Sequence, residues 1–265
     1  MASNPIVLIT GANTGLGYET IRSLLQSSKT YTILLGGRNL DKANAAAKEL
    51  QAEFAQSPSV IKTIQVDIED DDSIAKAYEH VTGEFGRVDI LINNAGASFD
   101  QDLALGKLSV REAWNKSWDV NVTGTWIMTH TFAPLLLKSA DPRLIFIASG
   151  TSTLTESDNR ALKVNSVPEK GWPKQGPSVV AYRSSKTGMT MMMREWHRLL
   201  TVDGVKVWAV SPGFLATGLG GNQELLKKMG ALDPTIGANL LREVVEGGRD
   251  QDTGKVVRRD GIQPW

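Results

Sequence analysis

Ile6-Val7-Leu8-Ile9-Thr10-Gly11-Ala12-Asn13-Thr14-Gly15-Leu16-Gly17 joins an apolar run to a turn with glycines at 11, 15 and 17. Ile6–Ile9 has the β-branched composition of a buried strand. Beyond the turn, Leu16, Thr20 and Leu24 recur at helical spacing. A glycine turn between a strand and a helix brings backbone N–H groups close to a pyrophosphate at the helix N-terminus. The spacing differs from G-x-G-x-x-G. A glycine pattern alone is a weak signal, and its strand–turn–helix context carries the reading.

Outward from this stretch, short apolar runs alternate with helical patterns. Strand candidates are Ile6–Ile9, Tyr31–Leu35, Val60–Val66, Val88–Ile92, Leu144–Ala148, Val205–Val210 and Lys255–Val257. Between them, Ala43, Ala46, Ala47, Leu50 and Phe54 form one helical stripe, and Ile74, Tyr78, Val81 and Phe85 another. Strand–helix alternation implies right-handed βαβ units and a mostly parallel sheet covered by helices on both faces. No repeat or linker divides the chain, so residues 1–265 read as a single doubly wound α/β domain. Residues 151–179 are polar and rich in Pro, Lys and Ser. That is long for a loop inside a compact domain, so the stretch is functional or partly helical.

Composition narrows the function classes. With 265 residues, 41% hydrophobic and 22% charged, the chain supports a full core. Its formal net charge of zero favours neither nucleic acid nor an acidic membrane surface as partner. The absence of cysteine excludes disulfides, thiolate metal ligands and a cysteine nucleophile. No run reaches the roughly 18 apolar residues of a membrane span. Met1 to Pro5 carry no signal-peptide pattern. A cytoplasmic location is expected. His80, His130 and His197 all fall within helical patterns, and no G-x-S-x-G elbow occurs, which argues against a serine–histidine hydrolase. Asp70-Asp71-Asp72 stands at a helix start, where carboxylates suit the helix dipole, so no metal site is expected.

Two further stretches carry chemistry. The second strand ends in Gly36-Gly37-Arg38-Asn39. An NAD site places a carboxylate there for the ribose 2′-hydroxyl, whereas an arginine suits a 2′-phosphate. This chain has the arginine; the plain alternative is a solvated surface side chain. Further on, Tyr182-Arg183-Ser184-Ser185-Lys186 puts a tyrosine and a lysine four apart, on one helix face. Free tyrosine has a pKa of about 10, and a neighbouring ammonium lowers it. A proton donor with a cation beside it, together with a dinucleotide loop, is the equipment of hydride transfer to a carbonyl.

In order along the chain, these motifs resemble the short-chain dehydrogenase/reductase family. Its T-G-x-x-x-G-x-G motif is Thr10 to Gly17, its N-N-A-G motif is Asn93 to Gly96, its Y-x-x-x-K is Tyr182 to Lys186, and its P-G turn is Pro212-Gly213. The resemblance implies a Rossmann-type domain with a seven-stranded sheet. It implies a catalytic set of Asn121, Ser149, Tyr182 and Lys186. Asn121 resembles the residue holding a water that links the lysine to solvent, and Ser149 the one that binds the substrate oxygen. Implied cofactor contacts are Gly11, Asn13, Thr14, Gly15, Leu16, Gly17, Gly37, Arg38 and Asn39 from the first two strand ends. Asp67, Ile68, Asn94, Ala95, Gly96, Tyr182, Lys186, Pro212, Gly213, Leu215 and Thr217 complete the set, with NADP(H) as the cofactor.

One departure stands out. The gap from Ser149 to Tyr182 is 33 positions, where the family pattern has about a dozen. An insertion within 151–179 resembles the carbonyl-reductase branch, where it lies over the substrate cleft and can block the helix pairing of dimers and tetramers. Residues 214–233 are the expected substrate-binding loop. Phe99, Trp172, Phe214 and Leu219 fall in segments around the nicotinamide, which points to a bulky apolar or aromatic carbonyl compound. Tail residues Asp260 to Trp265 are expected to pack on the sheet edge or to reach a pocket. The reading is an NADPH-dependent carbonyl reductase acting on a small molecule. Its alternatives are an alcohol dehydrogenase working in oxidation and a non-catalytic cofactor sensor on the same fold.

Overall fold

Runs of Val, Ile and Leu form the centre of the computed structural model, which describes residues 4–174, 178–221 and 223–265. Residues 175–177 of the expected insertion and residue 222 of the expected substrate loop lie outside the described residues. The strands are β1 (Ile6–Ile9), β2 (Thr32–Gly37), β3 (Val60–Gln65), β4 (Ile90–Asn93), β5 (Arg143–Ile147), β6 (Lys206–Val210), β7 (Val256–Arg258) and β8 (Gly261–Ile262). They form one sheet in the order β3-β2-β1-β4-β5-β6-β7-β8. All neighbours are parallel except β7 and β8. The chain winds outward from β1 to β3, then returns to β4 on the other side of β1. That reversal opens a crevice at the carboxyl ends of β1 and β4, where ligands of such sheets bind.

Helices cover both faces: α1 (Gly15–Leu25), α2 (Leu40–Glu53), α3 (Asp71–Glu84), α4 (Asp100–Ala104), α5 (Val110–Trp118), α6 (Thr125–Leu136), α7 (Val180–Leu200), α8 (Gln223–Lys228) and α9 (Pro234–Val245). Because side chains alternate along a strand, β1 feeds two cores. Ile6 and Leu8 join Phe132 of α6 and Met193 and Trp196 of α7 in one core. Val7 and Ile9 join Ile21 of α1, Leu50 of α2 and Leu241 of α9 in the other. Both faces being covered explains why the strands read as unbroken apolar runs. Each fully buried Leu or Ile contributes about 1.5–3 kcal/mol of transfer free energy.

The sheet has eight strands, one more than expected, because the tail folds back. Arg258 pairs with Gly261 and Val257 with Ile262, leaving Arg259-Asp260 as a two-residue turn. A two-residue strand has too few residues for a periodic pattern, so no periodicity signals it. β2 also runs on through Gly36 and Gly37, which pair with Ile64 and Gln65. The acidic run at 70–72 is a helix cap: the Asp70 side chain accepts from the amides of Asp72 and Ser73. From residue 150 to 179 there are three short 3-10 turns, at Gly150–Ser152, Thr155–Asp158 and Lys163–Asn165, and no longer helix among the described residues. No helix among the described residues is long and apolar enough to cross a membrane.

A π-helical turn, Asp119–Gly124, leads into α6 and presents Asn121 to the sheet ends. It fits because Gly124 lies against the strand-end segment at Ile68. A Cβ on Gly124 would stand 2.0 Å from the Ile68 carbonyl oxygen. Gly124→Ala should therefore destabilise the protein at or beyond the upper end of the 1–3 kcal/mol typical of overpacking. Urea unfolding measures this; a loss below about 1 kcal/mol would mean that this turn is free to move.

Candidate active site

The glycine turn is stitched to the turn after β4. The Thr10 hydroxyl accepts from the amides of Asn94 and Ala95 at 3.1 and 3.0 Å. The Asn94 side-chain amide adds two more in the same direction, donating to the carbonyls of Thr10 and Gly11 at 2.8 and 3.0 Å. The approach is close enough to require glycine. Gly11 has φ +61, and a Cβ there would stand 2.9 Å from Ala95 Cα. A Cβ on Gly17 would stand 2.8 Å from Ala12 Cα. Gly15 also has positive φ, at +59, and faces Thr217. Thr14 gives α1 no side-chain cap, and no acidic residue lies in the first turn. The start of α1 thus presents amides and a positive dipole end.

From Gly96 the site continues inward. A Cβ on Gly96 would lie 3.0 Å from Asn121 Oδ1 and 3.3 Å from Lys186 Nζ. Asn121 is fully buried. Its Oδ1 accepts from Ala97 N at 3.0 Å, and its Nδ2 donates to Ala97 O at 2.8 Å and to the Ser185 hydroxyl at 3.0 Å. Lys186, one residue on, donates from Nζ to Ile147 O at 2.9 Å, at the end of β5. Its nitrogen lies 5.8 Å from the Tyr182 ring centre. Ser149 follows β5. Its hydroxyl lies 2.9 Å from the Thr151 hydroxyl and acts on the Tyr182 phenol by lowering its pKa. The structure thus brings Asn121, Ser149, Tyr182 and Lys186 together.

Electrostatics departs from expectation. Burial pushes the Tyr182 phenol up to about 12, against a smaller lowering by the Ser149 hydrogen bond. Burial pulls Lys186 down to about 8. Burial, not the expected lowering by the ammonium, sets the sign of the phenol's shift. Desolvation disfavours both charged forms, so the phenol stays protonated.

At the second strand end, Arg38 is 74% exposed and pairs with Glu69 at 3.7 Å. Asn39 caps α2, accepting from Lys42 N. Asp67 Oδ1 accepts from Glu69 N at 3.1 Å. Gly213 has φ +99, and Leu215 forms a bridge to Leu232. Trp172 is 88% exposed, so its ring faces solvent, while Phe214 and Leu219 are about half exposed.

Three contacts escaped the sequence reading. Asp100, 4% exposed, accepts from the amides of Ala181 and Tyr182. Gln263 donates to Ser149 O at 3.1 Å. Arg183 ties the insertion to α7, donating to Thr151 O at 3.1 Å and Asn165 Oδ1 at 3.0 Å. Partners 18 to 114 positions apart leave no local pattern; the one visible signal was that Val179 cannot cap α7. The tail meets both expectations: β8 extends the sheet edge, and Trp265 lines a cavity of about 710 Å³ beside Met191 and Arg194 of α7.

The profile of the short chain dehydrogenase family matches residues 5–161 and 163–227. The chain belongs to this family of oxidoreductases. It is 46% identical to short-chain dehydrogenase/reductase eupG of a Phoma species, over 98% of this chain and 97% of that one. Short-chain dehydrogenase/reductase tropE of Talaromyces stipitatus is 45% identical, over 100% of this chain and 99% of its own. Among solved structures, the NADPH-bound carbonyl reductase from chicken fatty liver superposes with a TM-score of 0.79 at 21% identity, covering 100% of both chains. Such distant likeness bears on the fold, a single Rossmann-like domain, and that fold in this family takes a nicotinamide cofactor.

Lys186 makes stability pH-dependent. Its pKa is about 8 in the folded protein against 10.5 when solvated. The unfolded chain therefore binds more protons between those values, and stability rises with pH across that window. The penalty of the buried charge is full below about 8 and absent above about 10.5. Lys186→Met removes the charge. Relative to the parent, it should gain up to about 3 kcal/mol on going from pH 10.5 to pH 8 and below. Urea midpoints of both proteins across that range test this, and a constant difference would refute the buried ammonium.

Proposed function

We propose that the protein reduces a ketone or aldehyde to an alcohol with NADPH, Tyr182 being the general acid. The observation that carries this reading is the convergence of four side chains: Tyr182 and Lys186 one turn apart on α7, with Lys186 Nζ 5.8 Å from the Tyr182 ring centre, Ser149 after β5, and Asn121 bonded to Ser185. A protonated phenol is ready to donate at neutral pH.

The residues present fit a dinucleotide. Gly11 and Gly17 leave backbone exposed where side chains would clash, Gly15 has a positive φ, and the start of α1 offers amides to a pyrophosphate. Asn13, Thr14 and Leu16 complete that loop. Asp67 and Ile68 flank the adenine side, while Asn94, Ala95 and Gly96 line the floor. Pro212, Gly213, Leu215 and Thr217 hold the nicotinamide side, with Lys186 on the ribose. Exposed Arg38, with Gly37 in place of a carboxylate, supports a 2′-phosphate and hence NADPH. The bound nicotinamide supplies the hydride.

The chain's own groups do the rest. Ser149 orients the carbonyl oxygen and polarises it. Tyr182 gives its hydroxyl proton to that oxygen as charge develops there. Lys186, held by Ile147 O, stabilises the phenolate left behind, and Asn121 fixes the helix turn that carries Ser185 and Lys186. Half-exposed Phe214 and Leu219 would gain by covering an apolar substrate, which supports a bulky or aromatic carbonyl compound.

Loss of NADPH absorbance against a panel of ketones, aldehydes and quinones tests the activity. Tyr182→Phe should lower kcat by about two to four orders of magnitude with NADPH affinity kept. Parental turnover in that variant would overturn the assignment. For cofactor choice, a charge-assisted arginine–phosphate bond contributes about 1.5–3 kcal/mol, or about one to two decades. Gly37→Asp with Arg38→Ala should reverse the NADPH to NADH ratio of kcat/KM, although the new side chain must displace Asn13 Oδ1, 3.2 Å from the added Cβ. An unchanged ratio would place the phosphate away from Arg38.

A further inference from the structure

α7 starts without a cap of its own. Val179 contributes no side-chain hydrogen bond, and no acidic residue lies in the first turn. The leading amides of any helix need acceptors from outside it. Here they come from the far side of the site. Asp100, the first residue of α4, accepts from Ala181 N through Oδ1 at 2.9 Å and from Tyr182 N through Oδ2 at 3.0 Å. The Ser98 hydroxyl approaches Oδ2 at 3.4 Å.

The arrangement is specific in three ways. Asp100 is 4% exposed, so a carboxylate has been taken out of water and must be matched by donors. It uses both oxygens on two consecutive amides. A two-point attachment fixes the rotation of the helix turn as well as its distance, as in other bidentate pairs. One of those amides is the backbone N–H of Tyr182 itself, so the bond acts one atom from the Cα that carries the phenol. The negative charge also suits the positive end of the helix dipole.

The need for such an anchor follows from the insertion. Tyr182 lies 33 positions after Ser149, beyond a segment of short turns. That connection is too long to orient the helix start by itself, and an uncapped first turn frays. Arg183 ties the turn to the insertion, but the insertion is the less regular side of the contact. Asp100 instead ties it to the segment that follows Asn93 to Gly96, on the sheet-end scaffold of the site.

We propose that Asp100 is the positioning residue for Tyr182: its buried carboxylate holds the first turn of α7 so that the phenol keeps its place in the site beside Lys186. The proposal rests on the reading of Tyr182 as the proton donor. A displacement of about 1 Å in a reacting group costs up to about a hundredfold in rate.

The test compares Asp100→Ala and Asp100→Asn with the parent. Readouts are carbonyl reduction, NADPH titration by fluorescence, and hydrogen exchange at Ala181 and Tyr182. Asp100→Ala should lower kcat by about 10- to 100-fold. NADPH affinity should stay within about twofold, because the glycine loop is untouched. Exchange should rise at Ala181 and Tyr182 while the amides of β1 and α1 keep parental protection. Asp100→Asn retains one acceptor oxygen and should fall between the two in both kcat and exchange. Parental kcat in Asp100→Ala would overturn the proposal. So would a rate loss matched by equal loss of NADPH binding and of protection in β1, which marks a merely structural role. If Asp100→Ala fails to fold, Asp100→Asn decides: parental kcat with raised exchange at Tyr182 overturns the idea, and reduced kcat with intact NADPH binding supports it. A parent that binds NADPH but reduces no carbonyl compound would overturn the reading of Tyr182, and the proposal with it, before any variant at Asp100 is made.

Discussion

The stitch between Thr10 and Asn94 is the constraint on which the site depends. It binds the end of β1 to the end of β4 through four hydrogen bonds, all donated by Asn94 and Ala95 and accepted by Thr10 and Gly11. Those strands are neighbours in the sheet but belong to different winding halves, so their ends are where the crevice opens. With the two turns locked, Gly11 must be glycine against Ala95, and Gly96 is set beside Asn121 and Lys186. Asn121 passes the constraint to α7 through Ser185, and Lys186 passes it back to β5 through Ile147 O. Polar side chains, bonded mostly to backbone and in one case to the Ser185 hydroxyl, thus hold three strand ends and one helix in register. Half-satisfied, such a network would be worse than an apolar core.

Burial then sets the chemistry. Tyr182 and Lys186 are pushed in opposite directions along the pH scale by one cause, loss of water. Both neutral forms are favoured, which keeps a proton on the phenol and limits the charge on the amine. The ammonium still lies near the ring face, where it can stabilise negative charge that develops when the proton leaves. A site that resists ionisation at rest and is built to accept it during reaction stabilises the transition state more than the ground state.

The insertion and the tail meet behind Ser149. Thr155 N and the Thr153 hydroxyl donate to the carbonyl of Trp265. Gln263 donates to Ser149 O, and Arg258 pairs with Glu156 at 2.8 Å. The last residues of the chain therefore brace the start of the insertion. That gives the segment after Ser149 a fixed base although its middle, including Trp172, stands out in solvent.

The sequence by itself determined the fold class and most of the strand boundaries, because buried parallel strands and amphipathic helices leave periodic patterns within a few residues. It also carried the glycine turn, the Tyr182–Lys186 spacing and the two glycines at the end of β2, since each is a local backbone requirement. Tertiary structure alone decided what spans long separations. Asp100 reaches Tyr182 across 82 positions and Gln263 reaches Ser149 across 114, and no window of sequence contains both partners. It likewise decided the sign of the Tyr182 shift. Spacing reveals that a cation is near, but the loss of water that sets the sign depends on everything packed around the pair.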